Sequence, residues 1–151
     1  MAYFNVEDAL ASRLDNIAGF ATAAGTGNVT KGDYRVLGRG VGSALIIEYN
    51  GFEQERVELA GQHHITWQFN VNLFARVQDE LAAANILGTA RQLVIDEINS
   101  RPLLGGTASV FDAIVSEGAS APENINMGDV RFAFEILRCS VTEEVSVSYA
   151  E

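Results

Sequence analysis

Apolar and polar positions alternate without a break from His64 to Phe74. Ile65, Trp67, Phe69, Val71 and Leu73 interleave with His64, Thr66, Gln68, Asn70 and Asn72. A period of two over that length predicts a β-strand, here over 63–76, with one face in a core. The polar partners carry amides and hydroxyls where a solvent-facing strand would carry Lys, Glu and Arg. Uncharged groups tolerate partial desolvation by exchanging hydrogen bonds, whereas charges do not. That face is expected to meet something other than bulk water.

The rest of the chain divides by period. Val6, Leu10, Leu14 and Ile17 form one stripe of an amphipathic helix, with Asn5 as its cap, Glu7 and Asp8 in the first turn and Gly19 as its stop. Six glycines between 25 and 42 predict a flexible loop over 20–43 with one short strand at 34–37. Asn50-Gly51 separates two β-like runs, which predicts a hairpin arm over 44–59 with a type I′ turn. That register sets Tyr49 against Phe52 and Glu48 against Glu53. Ala60-Gly61 then turns the chain into strand 63–76.

A second helix is expected over 79–100, since Ala83, Leu87, Ala90, Val94 and Ile98 share a stripe; Pro102 ends it. Gly88 weakens this helix by about 1 kcal/mol relative to Ala, in exchange for room for close packing. After a turn at 103–106, a strand over 108–117 puts Phe111, Ala113 and Val115 on one face. A loop follows over 118–128, then a strand over 129–147. In that last strand Phe132, Phe134 and Ile136 alternate before the phase slips to Leu137, Cys139 and Val141. The slip predicts a bulge, or burial on both faces near Ile136-Leu137. The tail 146–151 is a candidate arm. The sum is a single α+β domain over 1–151, with an antiparallel β-sheet, two helices packed on one face, and an extended β-hairpin.

The chain has 151 residues, 48 % of them hydrophobic, which is enough for a core and argues against global disorder. Its formal charge is −10, and nine of its ten bases are Arg, Lys31 being the tenth. Such a body repels nucleic acid. No apolar run reaches the roughly 20 residues of a membrane span. The start, Met-Ala-Tyr-Phe-Asn-Val-Glu-Asp, has no basic n-region, so a cytoplasmic site of synthesis and assembly is expected.

Candidate chemistry is sparse. Gly38-Arg-Gly-Val-Gly42 lacks the third glycine of a dinucleotide loop, Ser43 taking its place, and a β-rich segment follows where a helix is needed. Gly25 to Gly32 has the ingredients of a phosphate loop in the wrong order. His63 and His64 point to opposite sides of a strand and cannot readily share a metal. Cys139 reads as a small buried residue in a strand. The acid pairs Asp96-Glu97 and Glu143-Glu144 are adjacent and do not converge. No catalytic, cofactor or metal set is expected, and no enzyme activity.

From Gly61 to Val147 the order of elements resembles the tail terminator, or tail completion, proteins of long-tailed bacteriophages. The matching parts are the strand Ile65–Leu73, the helix 79–100, Arg101-Pro-Leu-Leu-Gly-Gly106 leading into a strand, a Pro-containing loop, and a last strand ending in Val-Thr-Glu-Glu144. The resemblance implies a virion protein of the tail and neck, assembled in the host bacterial cytoplasm. Its subunits would form a homo-oligomeric, hexameric ring that stops growth of the tail tube and joins it to the head connector. Its partners would be the tube protein and the connector, with DNA passing through the lumen unbound and no membrane contact. Candidate subunit or tail contacts are Thr66, Gln68, Asn70 and Asn72 on the strand, and Tyr49, Asn50, Gly51 and Phe52 on the hairpin. Two alternatives remain: another neck or tail component, such as a connector or tube protein, and a cytosolic oligomeric module binding a small apolar ligand.

Overall fold

The computed structural model describes residues 3–15, 17, 29–31, 43–56, 61–77, 80–100, 102, 104, 110–118, 123–127 and 130–146. Its elements are α1 (Tyr3–Leu14), β1 (Val29–Lys31), β2 (Ser43–Arg56), β3 (Gln62–Arg76), α2 (Glu80–Asn99), β4 (Val110–Gly118), β5 (Glu123–Met127) and β6 (Val130–Ser146). The architecture is α+β. The sheet runs β1-β2-β3-β6-β4, and β5 also pairs β6. Every pairing is antiparallel except β1 with β2. One side of β6 is paired along its length with β3. The other is shared by β5, opposite 130–134, and β4, opposite 137–143.

Odd-numbered β3 residues build the main core. Trp67, Phe69, Val71, Leu73 and Ala75 are buried there with Leu45 and Ile47 of β2 and Leu137, Cys139 and Val141 of β6. Both expected helix stripes close over them: Val6, Leu10 and Leu14 of α1 with Ile17 just beyond, and Ala83, Leu87, Ala90, Val94 and Ile98 of α2. Both helices therefore lie on one face of the sheet. On the other face a smaller cluster joins Ala44, Ile46, Phe74, Val130 and Phe132, and Phe134 stacks on Phe74 at 5.8 Å.

Several expectations need correction. The extended hairpin exists, but its arms are β2 and β3, of 14 and 15 residues. Asn50-Gly51 is not its turn. The chain runs straight through, and the ladder steps from Tyr49↔Phe69 to Phe52↔Trp67, leaving one extra residue on β2. This is a β-bulge, and Gly51 takes the positive φ of 100° that such a bulge demands. The predicted facings of Tyr49 with Phe52 and of Glu48 with Glu53 are lost. Glu48 lies opposite Asn70 and Glu53 opposite Thr66, so like charges do not meet.

Helix α1 starts at Tyr3, so Asn5 lies inside it and no acid occupies its first turn. The segment 118–128, expected as loop, contains β5. Its Asn-rich Glu-Asn-Ile-Asn-Met has weak strand propensity, and pairing with β6 imposes the extended form. In β4 a bulge between Val110 and Asp112 brings Val110 and Ala113 to the same core face.

No bulge breaks the β3–β6 ladder. The phase slip in β6 marks a change in which face is apolar, and double burial falls at Phe132-Ala133, while Ile136 is 37 % exposed. Gly88 is not needed for close packing, because a Cβ there would meet only the Arg91 side chain, at 3.8 Å. The segment 20–43, expected as loop, contains β1 at Val29–Lys31, where parallel pairing with β2 imposes the extended form on part of the 25–32 motif. The strand at 34–37, the motif at 38–42, the stop at Gly19 and the tail 147–151 lie outside the described residues.

Candidate functional site: the sheet face away from the helices

Even-numbered β3 residues face away from both helices. Their neutrality follows from position: β3 is central, and its side chains reach sideways to hydrogen-bond with β2 and β6. The Thr66 and Thr142 hydroxyls lie 3.1 Å apart. Ser140 Oγ donates to Gln68 Oε1 at 2.8 Å. Asn70 Nδ2 donates to Glu48 Oε1 at 3.2 Å, and Asn72 Nδ2 to the Ile46 carbonyl at 3.2 Å. A charged group in the β3 row would displace this short-range network, in which, among the described residues, Asn70 Oδ1 is the one buried atom left without a partner.

The flanking strands add what β3 lacks. The bulge at Asn50-Gly51 changes the parity of β2, so that Glu48 before it and Glu53 and Glu55 after it share this face. From β6 come Arg138 and Glu144, and His64 Nε2 lies 3.5 Å from Glu144 Oε2. Two exposed isoleucines complete the surface: Ile136, opposite Asn72, and Ile114, opposite Ser140. The neutral β3 row and two exposed apolar side chains thus share the face with Arg138, opposite Asn70, and are edged mainly by carboxylates. Near its His64 end a depression of about 280 Å³ is lined by Glu53, Gln54, Glu55, His64, Thr66 and Thr142.

The candidate contact residues divide between two faces. Thr66, Gln68, Asn70 and Asn72 lie together on the open face, Asn72 being buried. Tyr49 and Phe52 point to the helix side, where Phe52 packs 5.4 Å from Trp67 and remains 55 % exposed. Asn50 and Gly51 form the bulge between them. The eight residues therefore do not make one continuous surface. Ile114 and Ile136 were missed, because the strand containing Ile114 was read by its other face and the phase slip obscured Ile136.

No protein-family model and no curated protein matches this chain.

The other chemistry-bearing residues have local partners or are buried. His63 bonds Gln54 on one side of β3, and His64 pairs with Glu144 on the other. No group of three or more His, Cys, Asp or Glu among the described residues is arranged to hold a metal ion. Cys139 is buried in the core, and burial pushes its thiol up to about 12, so it stays protonated at neutral pH. Two further carboxylates sit on the helix side. Glu143 is fully buried and accepts from Trp67 Nε1 at 2.9 Å. Glu135 is paired with Arg91 of α2 at 2.8 Å.

Proposed function

We propose that this chain is a structural assembly subunit of the tail terminator type, closing a ring at the head-proximal end of a phage tail tube and presenting a surface to the head connector. The observation that carries this reading is the open sheet face, where Gln68, Asn70, Ile114 and Ile136 present uncharged and partly apolar side chains beside one cation, Arg138, within an acidic edge. Protein interfaces are built on that plan, with depleted charge in the middle and polar groups around it. Repetition of one such contact around a ring is the heterologous, closing type of association. The acidic balance of the chain suits a lumen through which DNA slides without being gripped. On this reading the subunit performs no chemistry of its own.

The small-ligand alternative requires an apolar enclosure with a few convergent polar groups. The depression beside His64 is open to solvent and has Glu53, Gln54, Glu55, His64, Thr66 and Thr142 around it, with no aliphatic or aromatic hydrocarbon residue among them.

The test is negative-stain microscopy of the protein mixed with purified tail tubes. One cap at one end of each tube is expected, with the free protein sedimenting as a monomer or weak oligomer. A stable dimer indifferent to tubes counts against the reading, and long tubes formed by the protein alone would make it a tube protein. Gln68→Glu is the sharper probe. Its carboxylate can still accept from Ser140, so folding is retained, but a charge enters the neutral row and capping is lost. Normal capping by this variant would mean that the face meets water.

A further inference from the structure

Asn50 is the only asparagine in the sequence followed by glycine. Within the described residues the pair has no assigned partner in the sheet. The β2–β3 ladder passes from Tyr49↔Phe69 to Phe52↔Trp67, so that Asn50 and Gly51 together face the single residue Gln68. On the outer side, β1 reaches only Leu45 to Ile47. Asn50 is exposed, Gly51 has a φ of 100°, and beyond its chain neighbours no atom lies within 4 Å of where a Cβ on Gly51 would be. Strand amides are ordinarily held in the ladder and crowded by side chains. At this bulge the ladder is locally irregular and the crowding by side chains is absent.

We propose that Asn50 is a site of spontaneous deamidation in the folded protein. The Gly51 backbone nitrogen loses its proton and attacks Cγ of Asn50. The N–Cγ bond forms, the Cγ–Nδ2 bond breaks, and ammonia leaves with the proton, giving a five-membered succinimide. Solvent water then opens the ring at one of its two carbonyls. Opening at the former side-chain carbonyl gives aspartate. Opening at the main-chain carbonyl gives isoaspartate, which routes the backbone of β2 through the side-chain methylene. No oxidant or cofactor enters, and no electrons are transferred. Either product adds one negative charge to a strand that already carries Glu48, Glu53 and Glu55. The reaction needs glycine at 51 for two reasons: a side chain there would crowd the attacking nitrogen, and the positive φ excludes most residues. The proposal holds whether or not the chain forms a ring.

The experiment follows the freshly purified full-length protein in mildly alkaline buffer. Trypsin releases residues 40–56, in which Asn50 is the only asparagine, and mass spectrometry reads the replacement of amide by carboxyl. Labelling by an isoaspartyl methyltransferase reports the isomer. Asn99, exposed and followed by Ser100, serves as the internal reference. Asn50 is expected to convert severalfold faster than Asn99, at a rate close to that of the same chain in denaturant, with isoaspartate as the larger product. Gly51→Ala is expected to slow the conversion. If that variant does not fold, the ratio of native to denatured rates in the natural sequence decides alone. Protection by an order of magnitude in the folded protein, or conversion of Asn99 as fast as Asn50, overturns the proposal.

Discussion

Arg91→Met tests how a buried carboxylate facing α2 from the core side is tolerated. Glu135 points toward the helices from β6, opposite Leu73, and its side chain is fully buried. Arg91 Nη1 donates to its Oε1 at 2.8 Å, while Oε2 is buried with no hydrogen-bond partner. Methionine keeps much of the aliphatic stem of Arg91 and removes the charge, so the loss reports electrostatics more than packing. Breaking one partner of a buried pair costs about 3–5 kcal/mol, because the remaining charge has lost both water and counter-ion. Arg91 is 42 % exposed, and water entering from its side screens part of the cost, which places the expectation near the lower end, about 3 kcal/mol. For a chain of this length each kcal/mol moves the midpoint by about 2–4 °C, so Tm should fall by about 6–12 °C. Urea unfolding followed by tryptophan fluorescence measures the difference in free energy, and calorimetry measures Tm. Arg91→Met combined with Glu135→Leu should recover most of the loss, since a buried pair exchanged for apolar groups of similar volume is often neutral. A single variant within 1 kcal/mol of the natural protein, or a double variant no better than the single, would refute the reasoning.

Three smaller perturbations follow from the same geometry. Gly88→Ala should stabilise by about 0.5–1 kcal/mol, because the helix gains propensity and the added Cβ meets only ordinary contact with Arg91; a lower Tm would mean that α2 needs the gap. Trp67→Phe removes the indole donor to buried Glu143 and should cost about 1–3 kcal/mol; in a double-mutant cycle with Glu143→Leu, which removes the acceptor, a coupling energy near zero would show that the bond contributes nothing. Burial raises the Cys139 thiol from 9.0 to about 12, so the folded state holds its proton where the unfolded state loses it. The stability from that difference is complete below pH 9 and is lost as pH rises toward 12, by about 1.4 kcal/mol per unit. Cys139→Ala should flatten that alkaline slope, and an unchanged slope would assign it to other groups.

The elements that were legible from residue order are those whose period is unbroken and whose partners are local. The stripes of α1 and α2 and the alternation of β3 each repeat one geometry for many residues, so burying one face of each requires helices stacked on a sheet. The α+β class, the three central core rows and the neutrality of the β3 face all follow from that repetition. The turn at Asn50-Gly51 was misread because a positive-φ glycine serves a type I′ turn and a β-bulge equally well. Local chemistry offers no choice between them. The choice lies with β3, which pairs with β2 on both sides of the bulge, from Ser43↔Ala75 to Arg56↔His63, and rewards continuation over reversal.

The same dependence on distant partners hid the phase of β6 and the composition of the open face. Glu135 looks like a solvent position until Arg91, 44 residues earlier, is brought within 2.8 Å of it. Once that carboxylate is counted on the core side, the apparent slip resolves into a continuous strand with both faces used. The neutral row of β3 was visible in the chain, but the carboxylates of Glu48, Glu53, Glu55 and Glu144 that edge it, and the isoleucines beside it, come from β2, β4 and β6. Which side chains share a sheet face depends on strand order and register. Both depend on pairings between residues far apart in the chain, and local periodicity contains no term for them.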